Sequence, residues 1–489
     1  MRSKAGVSLM VKGVLISGER FALIAILSFG LTLSCWAISP IETSCKQLPT
    51  NDNGLTQEFV PFTFPSEFGS PSEPLSSESN GEEVLAAGYQ KTPASKVSPA
   101  YPTVQVHGFF QADVGWFGQD AVNMASIAAI NGVPSGDLQD GADFRRARLS
   151  AGGDVAENVG YFMEYDFALP GRPNFMDHIV DLRQFVGDAT LRLGYWRQPF
   201  SMDALTSAKD LTFFERALPF SFVPFRQIGL GLFNGTKQGA RTWAVSAIRS
   251  PTDFYGGNLG DNGGTGGVSR VTLVPWANAD DRELLHVGGN FAFIDPSNDN
   301  IQYFDLPEFL IVQTDIPPNV LPPNVPNVTL PFVNTGPIPT QNIQLYGSEL
   351  ALVYHSLYLQ SEAIYSHVNQ IGGPSVNFWG AYARAGYFLT GEVRPYLRET
   401  GVLGPVVPLC PYGTYSGTGA WEIAAQWSTI DLNDGNIAGG RMNNVTLGLN
   451  WYLNKYFKFQ FAHIHVFLNS PGFGDSDADI TAARAQVAF

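Results

Sequence analysis

Apolar residues recur at every second position in short runs from about residue 104 to the last residue, Phe489. This period is typical of β-strands, because successive side chains of a strand point to opposite faces. Stretches rich in Gly, Pro, Asn or Ser separate the runs and indicate turns. The pattern therefore predicts an all-β chain. The sixteen runs begin near residues 104, 143, 159, 178, 189, 226, 241, 268, 283, 343, 356, 377, 418, 440, 456 and 479.

The two faces of these runs have different characters. In the run after residue 377, Trp379, Ala383 and Leu389 share one face, while Arg384 lies on the other. At the C-terminus, Phe489 and alternate residues before it are apolar, and Arg484 faces the opposite way. An arginine on a lipid-facing surface costs about 2–4 kcal/mol at mid-depth. The pattern thus predicts an apolar outer face towards lipid and a polar lumen.

The connections alternate between long and short, as in outer-membrane barrels, which also have an even number of strands. The longer set is 119–142, 170–177, 198–225, 250–267, 295–342, 370–376, 431–439 and 469–478. The other set is 155–158, 188, 236–240, 276–282, 355, 391–417 and 454–455, of which only 391–417 is long. We predict a transmembrane antiparallel β-barrel of about sixteen strands, with both ends in the periplasm.

The N-terminus predicts export. Four basic residues precede an apolar run at 21–33, and small residues at Cys35 and Ala37 suit cleavage after Ala37. The run is too short for a membrane anchor, and residues 32–35 offer a weak lipoprotein box as an alternative. We predict a signal peptide at 1–37, a disordered low-complexity periplasmic linker rich in Ser, Pro and Glu at 38–100, and the barrel at 101–489.

Composition supports a membrane barrel. Charged residues make up 15% of the chain, against about 25% in soluble proteins. No apolar stretch of eighteen residues follows the N-terminus. Removing residues 1–37 takes away four basic residues and one acidic residue, which leaves 25 basic and 43 acidic residues and a net charge of −18. This balance argues against nucleic acid as a partner.

Three cysteines and one histidine pair are candidate sites. Cys35 lies in the predicted signal peptide, whereas Cys45 and Cys410 could pair in an oxidising compartment. They are far apart in sequence, so we expect free thiols. His463 and His465 share a strand face, but no third ligand is indicated, so we predict no metal and no cofactor.

Two neighbouring runs carry opposite charges on the same face. Arg146 and Arg148, beside Arg145, belong to the second run, and Glu164 and Asp166 belong to the third. One interpretation is a wall of ion pairs that stiffens the barrel. The other is a basic track for anions in which the two carboxylates orient the guanidinium groups. The spacing alone does not decide between them.

The connection 198–225 is rich in phenylalanine and also carries Lys209 and Arg216, with Arg226 directly after it. A loop this apolar needs a surface to pack against. We expect it to fold into the lumen and to offer Lys209 and Arg216 to passing solutes. Packing at a subunit interface is the alternative.

The sequence predicts no enzyme. It has no GxSxG motif and no glycine-rich phosphate loop, and no spacing links a nucleophile to a base. An outer-membrane hydrolase whose triad is assembled only by the fold is the alternative.

Several stretches resemble the phosphate-selective porin O and P family. They are FRRARLSAGG, YFMEYDFA, LRLGYWRQPFSMDALTSAKDLTFFERALP, YFLTGEVRPY and GAWEIAAQWSTIDLNDGNIAGGRMNNVTLGLNWYLN. The resemblance implies a sixteen-stranded trimeric outer-membrane porin whose third and fifth loops and one long periplasmic turn fold inwards. It also implies an anion path through a constriction. The basic residues implied to line it are Arg145, Arg146, Arg148, Lys209, Arg216, Arg226 and Arg394. The strand pattern, which turns Arg384 towards the lumen, adds that arginine to the predicted path.

Three functions follow as hypotheses. The first is a passive porin for small anions such as phosphate or polyphosphate, a homotrimer in outer-membrane lipid. The second is a general or cation-tolerant porin, since loop 295–342 has five acidic residues and neither Lys nor Arg. The third is a structural or adhesive barrel without transport. In each case Phe489 would present the C-terminal strand to the barrel-assembly machinery.

Overall fold

A computed structural model describes residues 100–168, 173–253, 255–258, 260, 263–311, 329–414 and 416–489. The predicted signal peptide and all of the predicted linker except residue 100 lie outside the described residues, so those two predictions remain predictions.

Sixteen long antiparallel strands form the barrel wall within the described residues. Each strand pairs with the next, and β16 pairs with β1, where Asp113 lies opposite Arg484 and closes the barrel. The strand number, order and closure confirm the prediction. The strands are β1 (Gln105–Gln119), β2 (Gly141–Ala156), β3 (Val159–Asp166), β4 (Asn174–Val186), β5 (Ala189–Arg197), β6 (Arg226–Asn234), β7 (Arg241–Arg249), β8 (Thr265–Ala277), β9 (Glu283–Asp295), β10 (Ile338–Tyr354), β11 (Leu357–Gln370), β12 (Val376–Phe388), β13 (Ala420–Asp434), β14 (Ile437–Tyr452), β15 (Phe457–Ser470) and β16 (Gly474–Ala488).

Shorter elements lie in the connections. Helix α1 (Ala121–Asn131) follows β1, and the Asp120 side chain caps it by accepting a hydrogen bond from the Asn123 N–H. The sequence pattern did not predict this helix. No helix in the described part of the chain is long and apolar enough to cross a membrane. The other short elements are Met202–Leu205, Leu218–Phe222 and Ser297–Asp299, which are helical, and the strand segments Asn300–Ile301, Phe304–Asp305, Val333–Asn334, Tyr396–Leu397 and Val402–Leu403.

The two faces of the wall agree with the predicted alternation. On β12, Trp379 is 41% exposed and Arg384 only 4%, so the arginine faces the interior. On β15, no register shift interrupts the pairing with either neighbour, and His463 and His465 lie on the outer face. Both histidines contact Asp479, at 3.2 and 2.8 Å. Among the described residues, no group of His, Cys, Asp and Glu side chains is arranged to hold a metal ion.

Three connections fold into the lumen, as predicted. They are loop 3 (residues 198–225), loop 5 (residues 296–337, described at 296–311 and 329–337) and turn 7 (residues 389–419). Phe214 of loop 3 and Phe309 of loop 5 are buried, with ring centroids 5.4 Å apart. A Cβ at Gly115 of β1 would lie 2.2 Å from the Phe309 ring, so glycine is required where loop 5 reaches the wall.

Cys410 lies in turn 7 and is disulfide-bonded, so the expectation of a free thiol at this position was wrong. The chain's other two cysteines, Cys35 and Cys45, lie outside the described residues.

Candidate functional site

Loop 3 crosses the lumen from β5 to the far side of the barrel. Its Leu211 and Thr212 carbonyls accept hydrogen bonds from Lys458 Nζ of β15, at 3.1 Å, and from Asn450 Nδ2 of β14, at 2.9 Å. Near its start, the Met202 and Asp203 N–H groups donate to the Glu362 carboxylate of β11. Bonds on several sides of the wall hold the loop as a partition, which narrows any passage through the barrel.

Glu215 joins loop 3 to the arginines of the wall. Its carboxylate lies 2.8 Å from Arg145 Nε, 2.7 Å from Arg146 Nη2 and 3.5 Å from Arg484 Nη2. Burial opposes ionisation, but the three guanidinium groups outweigh it and hold the pKa of Glu215 well below its usual range. Arg145 and Arg146 therefore both engage loop 3.

Arg148 lies between the two carboxylates that the sequence placed on β3. Its Nε is 2.8 Å from Asp166 Oδ2, and its Nη1 is 3.3 Å from Glu164 Oε2. All three side chains are largely buried. This geometry gives both carboxylates the orienting contacts proposed for them, and it also forms the ion-paired wall of the alternative interpretation.

Arg216 holds loop 3 together from within. Its guanidinium donates to the carbonyls of Asp203, Ala204 and Thr206 at 2.9, 3.1 and 2.7 Å. Burial lowers its pKa to about 10, so it remains charged near neutral pH. The sequence suggested that Arg216 faces passing solutes, whereas the structure directs it to backbone oxygens of its own loop.

Arg226 and Arg384 are also paired. Arg226 Nε lies 2.8 Å from Asp177 of β4, and its guanidinium stacks over the Phe225 ring. Arg384 Nη1 lies 3.1 Å from Asp203 of loop 3. Both arginines thus position loop 3, one at its C-terminal end and one near its short first helix.

Lys209 and Arg394 meet at a cavity between loop 3 and turn 7. Arg394 is 2% exposed, and its Nη2 donates to the Asp210 carbonyl. Its Nε and Nη1 have no hydrogen-bond partner within the described structure. A buried guanidinium with unsatisfied donors is costly, because each lost bond leaves an uncompensated desolvation penalty. These two donors are therefore suited to an anion or to water in the cavity.

The cavity has a volume of about 160 Å³, well above the roughly 10–15 Å³ that one water molecule needs on the same measure. Its lining contains four basic side chains, from Lys209, Arg394, Lys455 and Lys458, and two carboxylates, from Asp210 and Glu399. The excess of positive charge in a low-dielectric enclosure favours small anions.

Several residues that organise this site were not predicted from the sequence. Lys458 carried a usable signal, because the outward Phe457, Phe459 and Phe461 imply that it faces inwards. No sequence pattern indicated the roles of Glu215 and Asp203. Their arginine partners lie as far away in sequence as Arg484 and Arg384, and only the folded barrel brings them together.

Loop 5 meets loop 3 at a buried carboxyl group. Glu308 accepts hydrogen bonds from the Leu218 N–H, at 3.1 Å, and from Ser428 Oγ, at 2.6 Å. Burial raises the pKa of Glu308, and it raises the pKa of the nearby Asp305 well above its usual range. The neutral forms of both groups are therefore favoured by the packed loops.

This contact is expected to weaken as pH rises. Because the folded-state pKa of Glu308 is raised, its contribution to loop packing is fully present below the ordinary glutamate pKa and is lost as pH rises through the raised value. Hydrogen exchange of the Leu218 amide, corrected for the intrinsic effect of pH, should accelerate over that interval. Glu308→Gln should flatten the dependence, and Asp299→Asn, on the same loop, should not. An unchanged slope in Glu308→Gln would contradict the assignment.

Phe489 lies at the end of the barrel that carries the start of β1. Its N–H donates to the Gly108 carbonyl at 2.9 Å, and the residue is 55% exposed. The C-terminal aromatic ring is therefore accessible at the barrel rim.

Comparison with known proteins gives relatives of one kind. The family model for phosphate-selective porin O and P matches residues 125–489. An uncharacterised protein of Caulobacter vibrioides is 26% identical over 360 residues, which cover 70% of this chain and 66% of that protein, just under two thirds of its length. Porin O of Pseudomonas aeruginosa is 23% identical over 378 residues, covering 73% of this chain and 84% of that protein.

Solved structures of similar shape include an anion-selective porin from Comamonas acidovorans, with 13% identity and a TM-score of 0.48. That comparison covers 79% of this chain and 99% of the porin. The trimer form of OmpT from Vibrio cholerae has 10% identity and a TM-score of 0.45, with the same coverage. The family match extends over far more than half of the chain. The chain therefore belongs to the phosphate-selective porin O and P family.

Proposed function

We propose that this protein is a passive outer-membrane porin for small anions, phosphate or polyphosphate in particular, and that it works as a homotrimer. The family and the barrel indicate a channel in the outer membrane of a Gram-negative bacterium rather than an enzyme. Porin O of Pseudomonas aeruginosa is a curated relative. Export by a cleaved signal peptide and assembly through the strand that ends at Phe489 belong to the same proposal.

The observation that carries the proposal is the cavity between loop 3 and turn 7. Most arginines of the lumen face a carboxylate or a carbonyl, but Arg394 retains two buried donors without a partner in the described structure. Lys209 adds positive charge beside it. An anion that passes loop 3 can exchange water for these donors, which would favour its passage over that of a cation.

Arg145, Arg146 and Arg148 act on the extracellular side of this cavity. Their carboxylate partners hold the guanidinium groups in place, and the pairs position loop 3. The arginines thus set the constriction and add local positive potential, while the cavity supplies direct contacts.

Arg394→Gln is expected to reduce anion preference. At about 4 Å, a unit charge contributes about 1 kcal/mol even under water-like screening, so half-maximal block of chloride current should need about fivefold more phosphate. Planar-bilayer reversal potentials and phosphate competition measure the two effects. Arg441→Gln, an exposed arginine on the outer face of β14, is the matched control and should change neither. Cation preference in the unmodified protein would overturn the proposal.

A weakly selective porin is the second candidate. The sequence segment 295–342 has five acidic residues and neither Lys nor Arg. The same reversal potentials decide between the candidates, because this one predicts little preference and no effect of Arg394→Gln.

A further inference from the structure

Cys410 lies in turn 7, at the end of the barrel that the sequence assigns to the periplasm, and is 8% exposed. The N–H of Tyr412 donates to Leu453, in the turn between β14 and β15, and the N–H of Gly419 donates to Cys410 itself. The neighbouring Leu409 and Tyr412 are 67% and 57% exposed. A chain segment that arrives from the periplasm can therefore reach this position.

Cys410 is disulfide-bonded within a single chain that contains only Cys35 and Cys45 besides. Cleavage after Ala37 removes Cys35. If the alternative lipoprotein reading held, lipid attachment would consume the Cys35 thiol. Both routes leave Cys45 as the one other thiol of the mature protein.

We propose that Cys45 and Cys410 form a disulfide that ties the N-terminus of the mature protein to turn 7. The two thiols lose two protons and two electrons as the S–S bond forms. A periplasmic thiol–disulfide oxidant accepts the electron pair and is itself reduced to a dithiol. This compartment sustains such bonds. The inference is independent of which solute the barrel conducts.

The bond closes a large covalent ring. The ring contains residues 45–410, which include the segment 46–100 and the barrel strands from β1 to β12. A chain of 55 residues can span at most roughly 180 Å, so its length alone allows it to reach turn 7. Its N-terminal end is then held at the turn that carries Arg394 into the lumen.

Limited proteolysis of the purified full-length protein tests the bond. Glutamyl endopeptidase can cut the segment at Glu67, Glu73 or Glu78, beyond Cys45. In samples alkylated without reductant, the fragment that carries Cys45 should stay with the barrel on a denaturing gel. Addition of dithiothreitol should release it completely. Mass spectrometry should identify a peptide that joins residues 45 and 410.

Three variants provide controls. Cys45→Ser and Cys410→Ser should each release the fragment without reductant, whereas Cys35→Ser should change nothing in the mature protein. Release of the fragment from unreduced wild-type protein would overturn the proposal. Alkylation of Cys410 in unreduced, denatured wild-type protein would also overturn the proposal. That measurement uses wild-type protein only and does not depend on the folding of a variant. A peptide joining residues 35 and 410 would also refute the proposal.

Discussion

Replacing Glu215 with glutamine should release loop 3 from the arginine wall. The carboxylate lies within 3.5 Å of the guanidinium groups of Arg145, Arg146 and Arg484, two on β2 and one on β16. Its side chain is only 12% exposed, so water screens these contacts weakly. Glutamine keeps the shape and one acceptor oxygen but removes the charge that balances the three cations.

The expected loss of stability in loop 3 comes from the arginine charges that stay buried without their partner. Removing one partner of a buried ion pair costs about 3–5 kcal/mol, because the other charge stays buried without compensation. Asp113 still pairs with Arg484 in the variant, at 2.6 Å, so the damage should concentrate at Arg145, Arg146 and the loop. We expect the free energy of local opening of loop 3 to fall by about 3 kcal/mol, the lower end of that range.

Hydrogen exchange reads this opening directly. The Ala217 and Leu218 amides donate to Asp203 and Glu308, so both are protected only while loop 3 is in place. A fall of about 3 kcal/mol accelerates their exchange roughly 100-fold. Glu157→Gln, at an exposed turn position, is the control and should leave both amides unchanged. Unchanged exchange in Glu215→Gln would show that loop 3 is held by its other bonds alone.

Local patterns determine much of this fold, so the sequence could predict it. A period of two in apolar positions shows both where a strand lies and which face meets lipid. Sixteen such runs with alternating loop lengths leave a closed barrel as the consistent solution. The aromatic content of residues 198–225 also predicted that loop 3 packs inside, because those rings need an apolar surface.

Partner choice in the lumen could not be predicted from spacing. The sequence showed that Arg146, Arg216 and Arg384 are available but not which oxygen each one reaches. Arg216 turns to carbonyls ten to thirteen residues before it in its own loop, and Arg384 pairs with an aspartate 181 residues away. Such contacts depend on how loop 3 is seated, which is a property of the whole barrel.

The packing of the loops also explains why the number of arginines in the lumen is a poor guide to ion selectivity. Most lumen arginines are structural partners of carboxylates, so their number does not measure anion preference. Beside turn 7, by contrast, Arg394 combines two unsatisfied donors with a cavity of about 160 Å³. The position of turn 7 therefore controls whether that guanidinium faces the solute path.

Turn 7 itself depends on Glu349 of β10. Glu349 forms two bonds with Arg270, at 2.9 and 2.7 Å, and one with His286, at 3.1 Å. Arg270 then donates to the Thr400 and Gly401 carbonyls at 2.7 Å each, and His286 contacts the Tyr396 hydroxyl. The charge of one fully buried carboxylate thus orients the two side chains that hold turn 7 inside the lumen.

Glu349→Gln should loosen turn 7 and leave loop 3 in place. Arg270 would lose its bidentate partner while still buried, at a cost of about 3–5 kcal/mol. The Gly401 and Gly404 amides, bonded to Leu397 and Pro395, should exchange at least 100-fold faster, whereas those of Ala217 and Leu218 should not. Single-channel current should become noisier as Arg394 moves with the turn.

Glu283→Gln provides the matched comparison on the neighbouring strand β9. Glu283 pairs with His355, whose side chain is 50% exposed, and such a pair contributes little to stability. Both the amide exchange and the current should therefore resemble wild type. If Glu349→Gln behaved like Glu283→Gln, turn 7 would be held by its apolar contacts and by the disulfide of Cys410. In that case the buried carboxylate would stabilise the wall but would not govern the position of Arg394.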